Sequence, residues 1–283
     1  MNPMNTAVRA GLVRGSTELR QALTNGADLF GLLFWPLVMI VVLFFMRNGT
    51  VEASGVALGA FALPSILGML VAVNGIFGMA QFLTLEREDG TLLRAKAIPN
   101  GMVGYLVGKI VTVTGWVLIP FTIVLIPGLF LADGLALNTV GAWLSLIAVL
   151  ALGMLATLPF GAVIGSAFNS PRAIGFVSMP IMGLTAVSGI FYPITSMPGW
   201  VQGLAQVFPI YWLGLGMRSA MLPGEAVAIE LGQSWRHWET VGMLGVWAIV
   251  GLSVAPIFLR RMARGESGSK VAARREKAMS RAY

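Results

Sequence analysis

Side chains able to carry out covalent chemistry are few and scattered in this sequence. The only histidine, His237, stands beside Trp235, Arg236 and Trp238, an aromatic and basic mixture that suits a membrane–water interface better than proton transfer. Ser188-Gly189 resembles the start of a serine nucleophile site, but the only base to activate it would be that distant histidine. The sequence contains no cysteine, which removes disulfides, thiolate metal sites and thiol nucleophiles. No histidine or carboxylate pair falls at metal-ligand spacing inside an apolar run. Gly108-Lys109 has the ending of a phosphate-binding loop, yet Ile110 stands where that loop needs Ser or Thr and Val103 where it needs glycine. The chain reads as non-catalytic, without a metal or cofactor of its own.

One compact charged island remains. Glu86, Arg87, Glu88, Asp89, Gly90, Thr91, Leu92, Leu93 and Arg94 run on through Lys96 and Ala97 to Pro99. Both signs of charge would set register against a partner, Leu92 and Leu93 would add apolar contact, and Gly90 would allow a tight turn. By spacing alone the island is either a docking handle or a solvated loop between two apolar segments.

The elements around it are membrane-like. Apolar residues make up 57% of the 283 residues and charged ones 11%, against roughly a quarter charged in soluble domains. Mean hydropathy is +0.81. Uncharged runs cover Leu29 to Met46, Ala53 to Leu85, Ile110 to Ala132, a stretch within Gly134 to Pro171, and Thr240 to Leu259. The second run would be about 50 Å long as one helix, longer than a bilayer core of about 30 Å, so its end should project into water near Glu86. Ala173 to Met217 is also uncharged but broken by Pro180, Pro193, Pro198 and Pro209, too long and interrupted for one helix. Pro64, Pro180 and Pro193 mark kinks or helix ends.

Lysine and arginine concentrate in cytoplasmic segments. Six spans with both termini inside put all but Arg47, Arg218 and Arg236 of the 19 basic residues on the inner side; a seventh would strand the basic tail outside. The expected fold is therefore all-α and integral to the cell membrane. Residues 29–264 form the six-span domain, and Thr195 to Leu222 is a pair of short helices re-entering the outer leaflet. Residues 1–28 lack the apolar core of a cleavable signal. There Val8, Leu12, Leu19 and Leu23 share one face while Arg9, Arg14, Glu18 and Arg20 point elsewhere, as in an amphipathic helix on the inner membrane surface. Residues 265–283 form a basic cytoplasmic tail held near anionic lipid by charge. The pI near 10.4 reflects this topology and implies no nucleic-acid partner.

Six spans, the island after the second and the re-entrant segment before the sixth resemble an ABC-2 type transporter permease. Glu86 to Thr91 is similar to the family's Glu-Arg/Lys-x-x-Gly-Thr loop. Ser188-Gly-Ile-Phe-Tyr-Pro193, with Met197-Pro198, Trp200 and Phe208-Pro209-Ile210-Tyr211-Trp212, is similar to its C-terminal signature. The flavour is closest to drug and antibiotic exporters of the daunorubicin-resistance type.

The resemblance implies a homodimer with two separate ABC ATP-binding subunits, which would hold ATP and Mg2+. Residues 86–97 would be the coupling helix seated in the ATPase, and the Val8 to Leu23 segment an elbow helix. A hydrophobic or amphipathic substrate would leave along a path lined or gated by Phe34, Trp35, Asn74, Gln81, Phe191 and Tyr192. Tyr211 and Trp212 would form a lid near the headgroups, with Arg218 at the outer water boundary. A lipid or polysaccharide precursor is the alternative cargo, and a non-transporting scaffold for an ATPase the alternative class.

Overall fold

Backbone amides in so apolar a chain must find partners within the chain itself, and here they do so helically. The computed structural model describes residues 3–50, 55–88, 90–168, 171–265 and 267–269. Its α-helices are α1 (Pro3–Thr24), α2 (Gly26–Met46), α3 (Leu58–Val73), α4 (Met79–Glu88), α5 (Thr91–Lys96), α6 (Gly101–Leu131), α7 (Val140–Ala167), α8 (Pro171–Ala186), α9 (Gly199–Val207), α10 (Pro209–Met221) and α11 (His237–Gly265). The chain is an all-α membrane protein. Five helical stretches among the described residues are long and apolar enough to cross a bilayer: Gly26–Met46, Leu58–Arg87, Gly101–Leu131, Val140–Ala167 and His237–Gly265.

The stretch Leu58–Arg87 joins α3 to α4 through a π-helical segment, Asn74–Gly78, a distortion frequent at functional positions. The helix α6 begins nine residues before the apolar run that predicts it, so Lys109 lies inside the helix. The expected fifth span contracts to α8, 16 residues long or about 24 Å. Beyond it the chain turns at Gly189, with φ +69°, and returns its Ile190 and Ile194 to the core.

The pairing of α1 with α6 rests on small residues. Gly11 and Gly15 face Gly104 and Gly108 so closely that a Cβ on Gly11 would strike the Gly104 carbonyl, and one on Gly15 the Gly108 carbonyl. Small residues spaced four apart let helix backbones approach in this way. The packing face of α1 is therefore this glycine stripe. Of the expected apolar stripe, Leu12 and Leu23 stay exposed, while Arg14 and Glu18 turn inward.

The centre of the molecule is α3 against α10. Gly68 meets the Leu213–Gly214 backbone, where a Cβ would lie 2.9 Å from the Gly214 nitrogen. Every residue of α3 from Gly59 to Ala72 is buried, and α10 is buried almost throughout.

Candidate functional site

At the end of the bundle carrying the charged island, four ionised side chains from three elements close into a ring. Arg14 Nε lies 2.7 Å from Glu18 Oε1, and its Nη2 lies 3.0 Å from Glu86 Oε1. Lys109 Nζ lies 2.9 Å from Glu18 Oε2 and 2.9 Å from Glu86 Oε1. The Thr112 hydroxyl donates to Glu18 at 2.9 Å. Burial opposes the charge on Glu18, but the Arg14 hydrogen bond and Lys109 outweigh it and hold this carboxyl below its ordinary range. Burial likewise works against Arg14, and Glu18 and Glu86 reverse the effect, raising its pKa. The neighbouring Arg87 is buried and donates to the carbonyls of Ser166 and Phe168 at 3.3 and 3.0 Å, pinning α4 to the end of α7.

This geometry redistributes the island. Glu86, Arg87 and Leu92 point into the chain, where Leu92 packs with Leu83, Tyr105 and Leu259. The ring and the carbonyls take the place of water around Arg87 and Glu86 Oε1, while Glu86 Oε2 is buried without a hydrogen-bond partner. Gly90 does adopt a positive φ, +77°, immediately before α5. Thr91 accepts from Arg94 Nη2 at 2.8 Å, and Leu93 is half-buried. The surface turned outward is Arg94, Lys96, Ala97, Ile98, Pro99 and Asn100, with Ile98 62% exposed. The Glu88 side chain and Asp89 lie outside the described residues. Nothing in the residue types or spacing of Glu18 and Lys109 marks them as partners in this ring. The matched Gly-x-x-x-Gly pairs at 11 and 104 are the signal that could have brought α1 and α6 together.

Beside the ring, where Phe82 meets Lys109, a cavity of about 700 Å³ opens between α2, the π-segment, α4, α6 and α8. Trp35, Asn74 and Gln81 meet there, joined by Phe77, Phe82 and Trp116. Asn74 donates its amide to the Leu70 carbonyl at 2.9 Å. The Trp116 indole nitrogen is buried without a hydrogen-bond partner. Asp28, in the first turn of α2, stands at the cavity edge. Phe34 does not join this group; it lines a separate apolar groove along α2 with Phe30, Leu33 and Leu37.

The other expected path residues lie at the opposite end. Phe191 is exposed, and the Tyr192 hydroxyl donates to the Ala186 carbonyl at 2.6 Å, closing the turn after α8. The two helices expected between Thr195 and Leu222 are present as α9 and α10, broken at Phe208-Pro209. Trp200 is 74% exposed, whereas Tyr211 and Trp212 are buried in the core instead of presenting open aromatic faces. The reason is the close seating of α10 on α3. Trp212 is held there by its indole N–H, which donates to the Gln206 carbonyl at 2.7 Å. Arg218 is likewise enclosed by the chain. It is 1% exposed and its guanidinium grips Glu230 through Nε at 2.5 Å and Nη2 at 3.2 Å. Its Nη1 donates to Ser65 Oγ at 3.0 Å and to the Gly189 carbonyl at 3.1 Å. A bidentate pair with two further acceptors replaces the solvent that the charge would otherwise need.

A family model described as ABC-2 family transporter protein matches residues 46–255. No curated protein matches the sequence. The matched stretch takes in the turned-out segment after Gly90, the π-segment at the cavity and the Arg218–Glu230 pair, and leaves out α1. The chain therefore belongs to the ABC-2 family of transporter proteins, as a multi-pass membrane permease component.

Proposed function

We propose that this chain is the permease subunit of an ATP-binding-cassette exporter, working as a dimer with two separate ATP-binding subunits and moving a hydrophobic or amphipathic, drug-like compound outward. The observation that carries the reading is the cavity of about 700 Å³ in which Trp35, Asn74 and Gln81 converge with Phe77, Phe82 and Trp116. Its size and its mix of aromatic faces with a few polar groups match sites for small amphipathic ligands. The π-segment that forms one wall continues into α4, and beyond the turn at Gly90 α5 leads to the turned-out residues Arg94 and 97–100, which we assign as the ATPase contact. A substrate in the cavity would thus act at one end of α4, and a partner on that tip at the other, across the turn at Gly90 and the short helix α5.

In this reading both termini and residues 94–100 face the cytoplasm. The six crossings are α2, α3 with α4, α6, α7, α8 with the turn after it, and α11, while α9 and α10 enter from outside and turn back. Arg14, Glu18, Glu86 and Lys109 fasten the elbow helix α1 to the base of this lever.

The test is reconstitution of the permease with its ATP-binding subunit, followed by ATP hydrolysis across a panel of amphipathic compounds. We expect stimulation by at least one compound class, reduced in Gln81→Ala and Trp35→Ala with co-purification of the ATPase unchanged. Hydrolysis indifferent to every compound would favour the scaffold instead.

A further inference from the structure

A second groove, of about 430 Å³, lies between the start of α6 and the end of α11. Its floor is apolar: Met102, Val103 and Leu106 from α6 face Pro256, Leu259 and Ala263 from α11. Its rim is cationic: Lys96 from α5 stands over it, with Arg260 and Arg264 from α11. All three cations are exposed, and among the described residues none of them makes a hydrogen bond or ion pair. They come from two elements far apart in sequence, yet converge on one groove.

The spacing suits one kind of occupant. Pro256, Arg260 and Arg264 recur every four residues, so they lie along one face of α11. From Arg264 down to Pro256 the groove is about 12 Å long. A ligand filling it must be anionic at one end and apolar along the rest. Because the chain is embedded in a membrane, the abundant molecule of that shape is a phospholipid with its headgroup at the level of the rim. Basic pockets between membrane helices hold such headgroups.

We propose that this groove is a binding site for an anionic phospholipid, its phosphate held by Lys96, Arg260 and Arg264 and an acyl chain lying on the apolar floor. Scattered basic residues at a membrane surface attract anionic lipid without a site. This groove differs in setting three unpartnered cations around one apolar trough. Lys96 ends α5, the helix that leads to the exposed tip. A bound lipid therefore bridges that segment to α11 and braces it against the bundle.

Native mass spectrometry of the full chain in detergent tests the site, with phosphatidylglycerol and phosphatidylcholine as probes. Wild type is expected to retain phosphatidylglycerol over phosphatidylcholine by about tenfold or more. The triple variant Lys96→Gln, Arg260→Gln, Arg264→Gln should lose that preference. A control of equal charge loss at exposed positions away from the groove, Arg9→Gln, Arg20→Gln, Arg47→Gln, should keep it. Leu106→Trp, which fills the floor and leaves the cations in place, should weaken phosphatidylglycerol retention. Millimolar inorganic phosphate should not displace the lipid.

Equal loss in the control would reduce the effect to net charge and overturn the site. So would displacement by inorganic phosphate, which would make the ligand a free anion, or an unchanged preference in the groove triple. A wild type with no preference would mean that the groove is empty or covered by a second copy of the chain, and would overturn it as well. All substituted cations are exposed, so melting temperatures matching wild type verify the fold of these variants.

Discussion

Lys109 closes on Glu86. Its Nζ lies 2.9 Å from Glu86 Oε1 with the lysine side chain only 2% exposed, and the same nitrogen holds Glu18 on α1. One ammonium group therefore ties α6 to both α1 and the base of the turned-out segment. Removing it should leave two carboxylates short of a cation. Lys109→Met is expected to destabilise the protein by about 3–5 kcal/mol, read as thermal unfolding in detergent. Adding Glu86→Gln should return part of that loss, with a coupling energy of about 0.5–3 kcal/mol. Strict additivity of the two variants would show that the pair is not energetically linked.

The lowered pKa of Glu18 makes the docking of α1 pH-dependent. A carboxyl held below its ordinary value of 4.5 contributes stability that is complete above that value. The contribution disappears as pH falls through the lowered value in the folded chain. The gap in unfolding midpoint between wild type and Glu18→Gln should therefore be full at neutral pH and shrink towards zero in strongly acidic solution. A gap of constant size down to that range would contradict the assignment.

The turned-out tip and the turn before it should respond differently to substitution. Arg94→Ala and Ile98→Ala alter exposed side chains, so melting should stay near wild type. Stimulation of the partner ATPase should fall about tenfold, as when a contact worth roughly 1.4 kcal/mol is lost. Gly90→Val places a β-branched residue at φ +77° and should cost about 1–2 kcal/mol of stability. Lowered stability in Arg94→Ala, or none in Gly90→Val, would reverse the two roles.

At the other end, Arg218 and Glu230 are each almost fully buried. Either Arg218→Met or Glu230→Gln alone strands a buried partner and should cost about 3–5 kcal/mol. The double variant should be distinctly more stable than the sum of the singles. Because Arg218 also donates to Ser65 and Gly189, its loss should loosen the turn after α8. Proteolysis near Gly189 is the direct readout, and protection equal to wild type would show that the turn holds without the arginine.

Much of the architecture was legible from residue type and period. Apolar runs long enough to span a bilayer became α2, α3 with α4, α6, α7 and α11, because backbone satisfaction in lipid leaves few other solutions. Pro209 at the start of α10 broke the segment after Trp200 into two helices, as proline chemistry requires. Gly90 before Thr91 was legible as a turn for the same kind of local reason.

The partners of the charges were not legible in that way. Glu86 reads as an outward handle in sequence, yet Arg14 and Lys109, distant along the chain, draw it inward. Tyr211 and Trp212 read as interfacial aromatics, but the glycines that seat α10 on α3 bury them. Composition, period and turn residues act within a few residues of themselves, so the sequence alone determined the membrane class, most of the long helices and the break at Pro209, while Pro64 and Pro180 lie inside α3 and α8. Which face of each helix meets which neighbour depends on small residues opposing one another across space. That long-range complementarity decided the ring at Lys109, the clasp at Arg218 and the cavity that gathers Trp35, Asn74 and Gln81.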